Sequence, residues 1–388
     1  MIELYDWQYE YLKQLPKNVI MTADTGTGKT LMALWHADTE LSRIPILVIA
    51  PPAKVNSGDW GSEAEAIDLH KPYVVSFGKV AKFATPSTPY ILIVDEVHYA
   101  KSATSQRAKA IIRLATDRNC RQFIGLSATA IPNGYIDLQT YGIIFGWWKN
   151  KTAFIREHVL IDRSRGFPRI IGYRGEDKLK YLWKRVAFGL DKSLLNLPDL
   201  INITTTINLK PRERDMYRAI KTEREYDGEM LDTPAKLHAT LRQYLANSRV
   251  EALQAVLDDT DEHILVFYTY NVERDAILAT AAKNKREVYE QSGHASHLPK
   301  GVPDKPSITL LQYQSGSAGL NLQYAPISIF FSPSYSYMDT EQAKGRNYRG
   351  GQEKIVRHYW FKCAGTIDTA VYRCLENKQD FNDSMEEE

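Results

Sequence analysis

The chain has 388 residues, a formal net charge of +2, and 44% hydrophobic and 25% charged residues. This length suggests two to three domains, and the composition is that of a globular protein, not of a disordered or strongly charged chain. Three scattered cysteines without a C-x-x-C pair argue against a disulfide framework or a zinc module. No apolar run reaches the roughly 18 residues of a membrane span, and the acidic, aromatic N-terminus is unlike a signal peptide. We therefore expect a cytoplasmic protein without a membrane partner.

Short apolar runs alternate with helical patterns through the first third of the chain. Helical spacing is found at 30–41 and 105–116. The apolar runs predict strands at 18–23, 46–52, 73–77, 90–96 and 122–129. Because these runs are apolar almost throughout, they suit a parallel sheet that is buried on both faces. The alternation predicts an α/β doubly wound domain over residues 1–148.

A glycine- and threonine-rich segment, ADTGTGKT at 23–30, follows the first predicted strand and opens a predicted helix. Such a loop wraps phosphates with backbone amides, while a lysine reaches the β- and γ-phosphates and a hydroxyl ligates Mg²⁺. Ala23 stands where the usual pattern has glycine. The predicted nucleotide-binding residues are Thr25, Gly26, Thr27, Gly28, Lys29 and Thr30, with Thr30 also a magnesium ligand.

Two adjacent carboxylates, Asp95 and Glu96, end the predicted strand 90–96 in the segment VDEVH. The carboxyl edge of a parallel sheet is where such folds bind ligands. We expect Asp95 to belong to the magnesium shell and Glu96 to orient and polarise the attacking water. Alone, an acidic pair at a strand end is more often the start of a loop, so the order of the motifs carries this prediction.

Four further polar residues accompany these motifs. His98 could couple the nucleotide state to neighbouring strands, or it could be a surface histidine. Ser127 and Thr129 close the strand at 122–129 and could link the carboxylates to a moving interface, although such hydroxyls usually cap a turn. Gln8, upstream of the phosphate loop, could pair with an adenine edge.

The pattern changes over residues 149–200, which we assign to a basic helical segment and linker. Residues 149–192 contain twelve basic and five acidic side chains, so this stretch carries +7 while the whole chain carries +2. Strand-like runs resume at 201–209, 264–270, 287–290, 308–313, 327–331 and 355–361. They predict a second α/β domain over 201–388.

The second domain contains the segment EQAKGRNYRGGQE at 341–353, which includes Arg346 and Arg349. Spaced by three residues, the two arginines would share one helix face, and guanidinium groups suit phosphate. Seen alone, they would more often form a solvated basic patch.

In their order along the chain, ADTGTGKT, VDEVHYAKS, LSATAIPN, SGSAGLNLQYA and QAKGRNYRGGQ resemble the motifs of superfamily 2 helicase-type motors. His98 and Lys101 after the acidic pair resemble the Swi/Snf-type branch of double-stranded DNA translocases, as does the segment TAIPNGYIDL with Pro132 and Asn133. The segment 365–378 is similar to the one that follows the motor in that branch. The resemblance spans about residues 4–378.

The chain also departs from that branch. We expect it to lack the long helical insertions of both motor lobes and to have no room for a flanking histone-binding, chromo- or zinc-type module. This puts nucleosome remodelling in doubt and leaves the motor intact. Such a minimal motor resembles short viral enzymes, in which case the host cytoplasm would be its location.

The resemblance implies an α/β fold of two tandem RecA-like domains, with ATP in the cleft between them. Arg346 and Arg349 would then face the γ-phosphate when the lobes close, with Arg349 as the first choice for an arginine finger. Such a finger increases the rate by about 10³–10⁵. Gln342 beside this motif is assigned to coupling.

Two lobes that open and close in this way would form a motor if both of them held a polymer. The candidate contacts to the DNA backbone are Lys54, Asn133, Tyr270, Asn271, Ser315 and Ser317. They carry no sequence specificity, and the basic 149–192 segment could add electrostatic attraction. The function expected is therefore an ATP- and Mg²⁺-dependent translocase on double-stranded DNA, a monomer in solution.

Two alternatives remain open. A strand-separating DNA or RNA helicase would need a wedge, for which a short hairpin at 160–176 or 291–305 is a candidate. A nucleotide-gated DNA clamp with little turnover is the other, although Lys29, Asp95, Glu96 and Arg349 are all present.

Overall fold

The computed structural model describes residues 3–23, 26–41, 43–131, 134–163, 169–190, 195, 197–313, 320–378 and 380–381. The chain forms two compact units, Met1–Leu195 and Asn196–Glu388. Within the described ranges, none of the helices combines the length and apolar character that a membrane crossing requires. Placement in the cytoplasm stays a prediction.

The first unit contains a six-stranded parallel sheet with the strand order β3-β2-β4-β5-β1-β8. Two further strands, β6 and β7, pair antiparallel as a separate ribbon. The strands are β1 Val19–Ala23, β2 Ile46–Ala50, β3 Tyr73–Ser76, β4 Tyr90–Val94, β5 Cys120–Ser127, β6 Val159–Asp162, β7 Arg169–Tyr173 and β8 Ala187–Leu190.

Helices cover both faces of this sheet, as the apolar strand sequences require. In β4, Leu92 and Val94 pack into one buried cluster, whereas Ile91 and Ile93 pack into the other. Successive strand residues point to opposite faces, so each face has its own core. The helices are α1 Asp6–Lys13, α2 Lys29–Leu41, α3 Pro52–Ser57, α4 Asp59–Ala66, α5 Gln106–Ala115, α6 Leu138–Ile144, α7 Lys151–His158 and α8 Glu176–Lys184.

The second unit contains a seven-stranded sheet with the order β14-β13-β15-β12-β16-β17-β9, in which only the β13–β14 pair is antiparallel. A small hairpin, β10–β11, stands apart from it. The strands are β9 Leu200–Ile207, β10 Glu225–Tyr226, β11 Glu229–Met230, β12 Ile264–Tyr268, β13 Glu287–Gln291, β14 Ser296–His297, β15 Ser307–Gln312, β16 Ile327–Phe330 and β17 Val356–Cys363. The helices are α9 Pro211–Glu223, α10 Pro234–Tyr244, α11 Val250–Asp258, α12 Asn271–Lys283, α13 Tyr337–Lys344 and α14 Ile367–Glu376.

The predicted α/β class is confirmed: two tandem domains of parallel strands flanked by helices. Every strand predicted from an apolar run is present, and the helical patterns at 30–41 and 105–116 form α2 and α5.

The segment 149–200 differs from the separate helical segment that its composition suggested. It contains strands as well as helices, and β8 pairs in parallel with β1, in the register Ile20 to Ala187. The first compact unit therefore extends to Leu195, well beyond residue 148. Basic composition did not reveal this strand, because β8 has only four residues and is partly exposed.

Candidate functional site

The phosphate-loop segment joins the carboxyl end of β1 to the first residue of α2. Gly26 and Gly28 have φ angles of 87° and 79°, which only glycine adopts at little cost. The ammonium group of Lys29 donates a hydrogen bond of 2.6 Å to the carbonyl oxygen of Ala23. The lysine is thus folded back over the loop, at the start of the helix as predicted. Thr25 lies outside the described residues.

The side chain of Gln8 in α1 is hydrogen-bonded to this loop. Its Nε2 donates to the carbonyl oxygen of Thr27 at 3.0 Å, and its Oε1 accepts from the Tyr5 amide at 3.0 Å. A Cβ added at Gly28 would approach Gln8 Nε2 to 2.8 Å, so a side chain there would force the Gln8 amide to move. The structure brings Gln8 to the loop; its contact with adenine stays a prediction.

The acidic pair follows β4, two strands away from β1 at the same carboxyl edge of the sheet. Asp95 is buried, and its amide donates to the carbonyl oxygen of Ile49 at 2.8 Å. Burial and the adjacent Glu96 charge raise the pKa of Asp95 to about 6, while Lys54 and Lys29 act to lower it. The phosphate-loop lysine and the strand-end carboxylate, 66 residues apart in sequence, therefore share one electrostatic environment.

Glu96 has a left-handed backbone conformation, with φ 52° and ψ 52°. Its half-buried side chain places Oε2 3.3 Å from His98 Nδ1, but Oε2 accepts no hydrogen bond from a described residue. Burial, with the charges of Lys101 and Lys29, lowers the pKa of His98 to about 3. Because the imidazole is neutral at physiological pH, its contact with Glu96 is not an ion pair.

His98 also connects β4 to β5. Its Nδ1 lies 2.9 Å from Ser127 Oγ, and the same hydroxyl accepts from the amide of Thr129 at 3.1 Å. The structure thus joins three of the four residues that the sequence had assigned to coupling. Whether they transmit the nucleotide state stays a prediction.

The predicted nucleic-acid contacts are only partly described. Lys54 of α3 forms a 2.8 Å ion pair with Asp59, and its positive charge acts to lower the pKa of Asp95. Asn271 is exposed at the start of α12, next to Tyr270, which contacts Arg242. Asn133, Ser315 and Ser317 lie outside the described residues.

The prediction that the two arginines share a helix face is wrong. Helix α13 ends at Lys344, with Gly345 as its C-cap, and the following residues form turns. Arg346 is buried, with 4% of its side chain exposed, whereas Arg349 is half-buried and donates from Nη1 to the carbonyl oxygen of Leu320 at 3.2 Å. Gln342 on α13 is buried, and its Oε1 has no hydrogen-bond partner in the described part of the chain.

Asn347, between the two arginines, fixes this loop. It is fully buried, donates from Nδ2 to the Ala325 carbonyl oxygen at 2.9 Å, and contacts His358 Nε2 through Oδ1 at 3.1 Å. Gln352 Nε2 donates to the carbonyl oxygens of Gln323 and Asn347. Side-chain hydrogen bonds rather than helix geometry therefore set the positions of Arg346 and Arg349.

A buried charge network in the second unit was missed from the sequence. Arg249 Nη2 lies 2.7 Å from Asp368 Oδ2, and its Nη1 lies 3.5 Å from Glu273 Oε1, all with fully buried side chains. Glu273 Oε2 accepts from the amides of Thr269 and Tyr270, so the network holds the turn that precedes α12. One pattern could have revealed it, because Arg249 falls on the apolar face of the helical spacing around Leu245 and Leu253.

No family model matches the chain. Curated relatives include the SWI/SNF-related matrix-associated actin-dependent regulator of chromatin subfamily A-like protein 1 of Xenopus tropicalis, 21% identical over 413 residues that cover 93% of this chain and 42% of the relative. The putative ATP-dependent helicase/translocase YwqA of Bacillus subtilis is 21% identical over 450 residues, which cover 97% of this chain and 47% of YwqA. The DNA repair protein rhp54 of Schizosaccharomyces pombe is 26% identical over 210 residues, 52% of this chain and 24% of that protein.

The Sulfolobus solfataricus SWI2/SNF2 ATPase core, solved in complex with dsDNA, matches with a TM-score of 0.43 and 18% identity, covering 99% of this chain and 93% of that one. The chain spans less than half the length of the Xenopus and Bacillus relatives. The alignments with these two relatives nevertheless extend over nearly all of it. Over nearly its whole length the chain is therefore similar to SWI/SNF-related and helicase/translocase proteins, the group that its motifs resemble.

Proposed function

We propose that this chain is an ATP-dependent motor that moves along double-stranded DNA and hydrolyses ATP to ADP and phosphate. The observation that carries the proposal is the shared environment of Lys29 and Asp95 at one edge of the first sheet. Its homologues include a protein named as an ATP-dependent helicase/translocase, which supports the same conclusion.

The phosphate loop would hold the nucleotide. The glycine conformations at 26 and 28 turn the backbone so that amides at the start of α2 face a phosphate group. Lys29 would exchange its hydrogen bond with the Ala23 carbonyl for the β- and γ-phosphates. Thr25 and Thr27 complete the loop, and Gln8 would read the adenine edge while it braces the Thr27 carbonyl.

Thr30 and Asp95 are the candidate magnesium ligands. A hydroxyl and a carboxylate are the oxygen donors that Mg²⁺ takes beside nucleotide phosphates. The buried Asp95 lies next to a second carboxylate, and a cation would stabilise its ionised form against the burial that now raises its pKa. Bound there, the ion would neutralise developing charge on the phosphates.

Glu96 is the candidate for orienting the attacking water. Its Oε2 is buried and has no hydrogen-bond donor among the described residues, so a water molecule is a suitable partner for it. The neutral His98 ring, two residues after Glu96, contacts Ser127 of β5 and so keeps this segment next to that strand. Hydrolysis would thereby be coupled to β5 and to Thr129 beyond it.

The second unit would supply the rest of the reaction centre. We assign the finger to Arg349, with Arg346 in support and Gln342 in coupling. Lys54, Asn133, Tyr270, Asn271, Ser315 and Ser317 would contact the DNA backbone without sequence specificity. Loss of the γ-phosphate would release the contacts that hold the units together, and repeated cycles would move the DNA.

ATP hydrolysis with different nucleic acids tests this function. Duplex DNA should stimulate hydrolysis several-fold, and added salt should reduce the stimulation because phosphate contacts are lost. Glu96→Gln should bind ATP normally yet lower turnover by about 10²–10⁴. Wild-type turnover no higher than that of Glu96→Gln would instead identify a nucleotide-gated clamp.

A strand-separating helicase is the second candidate, because antiparallel hairpins are present where a wedge was considered. They are β6–β7 and β13–β14. Displacement of a third strand from a triplex, without unwinding of a forked duplex by the same enzyme, is the result expected of a translocase. Unwinding of the fork, or equal stimulation by single strands or RNA, would favour the helicase.

A further inference from the structure

The ribbon of β6 and β7 is a separate two-stranded sheet in the first unit, and the motor mechanism above makes no use of it. Its strands pair antiparallel, with Val159 opposite Tyr173 and Asp162 opposite Arg169. It lies within the stretch whose basic side chains outnumber its acidic ones. The question is whether its position and surface fit a particular ligand.

The ribbon is anchored beside the carboxyl edge of the six-stranded sheet. The ring of Tyr173 packs edge-on against Tyr135, with 5.6 Å between ring centroids. Tyr135 belongs to the short helix Gly134–Asp137 that follows β5. It is two residues beyond Asn133, a predicted contact to the DNA backbone. The ribbon therefore lies near the edge at which parallel sheets of this kind bind ligands.

The exposed surface of the ribbon combines apolar and cationic side chains. Ile170 and Ile171 are 46% and 66% exposed, whereas Val159, Ile161 and Tyr173 pack against the core of the first unit. Arg163 and Arg169 are exposed. Asp162 is the one acidic side chain in the described part of the ribbon.

We infer that the β6–β7 ribbon is an additional duplex-DNA contact of the first unit, an inference that rests on the proposed function. Exposed guanidinium groups pair with phosphate oxygens, often through two parallel hydrogen bonds. The neighbouring isoleucines offer apolar surface to the sugars between those phosphates. Contacts of this kind add affinity without reading sequence and extend the DNA path beyond the residues around Asn133.

The same unit offers a matched control at the opposite edge of its sheet. Arg118 and Arg121 are exposed and carry the same total charge as Arg163 and Arg169. They flank Cys120, the first residue of β5, and therefore lie at the amino edge of the sheet. The eight residues of β5, about 26 Å of strand, separate this edge from the carboxyl edge.

Two double variants of the full chain test the inference: Arg163→Gln with Arg169→Gln, and Arg118→Gln with Arg121→Gln. Binding to a 30-base-pair duplex is measured over a range of salt concentrations, and ATP hydrolysis is measured without DNA. In the ribbon variant, affinity at 0.1 M salt should fall about tenfold or more, and the slope of log K against log salt should shrink by about 2. The control should match wild type, and DNA-independent hydrolysis should be unchanged in both.

A cross-linking experiment gives a second measurement that does not depend on binding constants. A duplex that carries haloacetyl groups on its phosphates should react with Ile171→Cys and not with Tyr181→Cys, although position 181 is 61% exposed in the wild type. Equal salt slopes in both double variants, or equal reaction at both cysteines, would overturn the inference while DNA-stimulated hydrolysis persists. A wild-type chain that neither binds duplex nor responds to it would instead overturn the proposed function.

Discussion

Glu96 and His98 show how single residues at a strand end are specialised. Glu96 leaves β4 in the left-handed region, which costs a residue with a side chain of the order of 1–3 kcal/mol. That conformation turns the chain at once into the short helix Val97–Ala100, which places His98 against Ser127. The strained turn therefore serves to bring the acidic pair and the histidine to one point.

The depressed pKa of His98 predicts a pH dependence of stability. The folded state resists protonation down to about pH 3, whereas the unfolded chain takes up the proton near pH 6.5. Between those values the unfolded state binds more protons, so this histidine lowers the free energy of unfolding as the pH falls. The loss can reach about 1.4 kcal/mol per pH unit. The His98→Gln variant has a side chain that cannot take up a proton, so it should not show this loss of stability.

Urea unfolding of wild type and His98→Gln from pH 7 to pH 4 measures this difference. Asp95 acts in the opposite direction, because its raised pKa makes its contribution to stability fall as the pH rises from about 4 to 6. Both proteins contain Asp95, so its contribution cancels when the slopes of unfolding free energy against pH are compared between wild type and variant. Parallel curves over this range would show that His98 titrates normally in the folded protein.

At the scale of elements, the buried charges of the second unit tie three helices together. Arg249, at the start of α11, reaches Glu273 of α12 and Asp368 of α14. Although burial opposes the charge, these carboxylates raise the pKa of Arg249 above its ordinary value. Through Glu273, the same network holds the turn at Thr269 and Tyr270.

Removal of one partner from this network should be costly. Asp368→Ala would leave the Arg249 guanidinium buried without its 2.7 Å partner, and we expect a loss of about 3–5 kcal/mol. Glu251→Ala breaks an ion pair with Lys210 between mostly exposed side chains, and its effect on stability should be much smaller because water already solvates both groups. Hydrogen exchange of the β12 and α12 amides measures both in the second unit. A cost for Asp368→Ala as small as that of Glu251→Ala would mean that water reaches Arg249.

The elements themselves were largely predictable, and their ends were not. Apolar runs such as 46–52 and 264–270 specify buried strands because a parallel sheet leaves neither face in water. The end of α13 at Lys344 was not predicted, because Asn347 and Gln352 bond to distant carbonyl groups that compete with the helix. Pairing of β8 with β1 likewise depends on a partner more than 160 residues away.

At the scale of the whole molecule, the proposed cycle requires guanidinium groups from one unit at a nucleotide held by the other. Arg349→Gln should therefore bind ATP and DNA as wild type does, yet lose about 10³–10⁵ in DNA-stimulated hydrolysis. Arg373→Gln, an exposed arginine on α14 of the same unit, is the matched control and should keep full activity. Stimulated turnover by Arg349→Gln at the wild-type rate would reassign the finger, with Arg346 as the next candidate.

The sequence by itself determined the α/β class of both units, the glycine-rich segment at the start of α2, the acidic pair after β4 and the similarity to SWI/SNF-related proteins. These depend on local residue order, since apolar runs, glycine spacing and strand-end carboxylates are readable within a few residues. Only the tertiary structure decided that Lys29 and Asp95 share one environment, that Gln8 braces Thr27, and that a buried Arg249 is compensated. Contacts between residues far apart in sequence depend on how strands and helices pack. Packing also decides which charged groups are buried, and a buried charge is tolerated only where a partner offsets its loss of hydration.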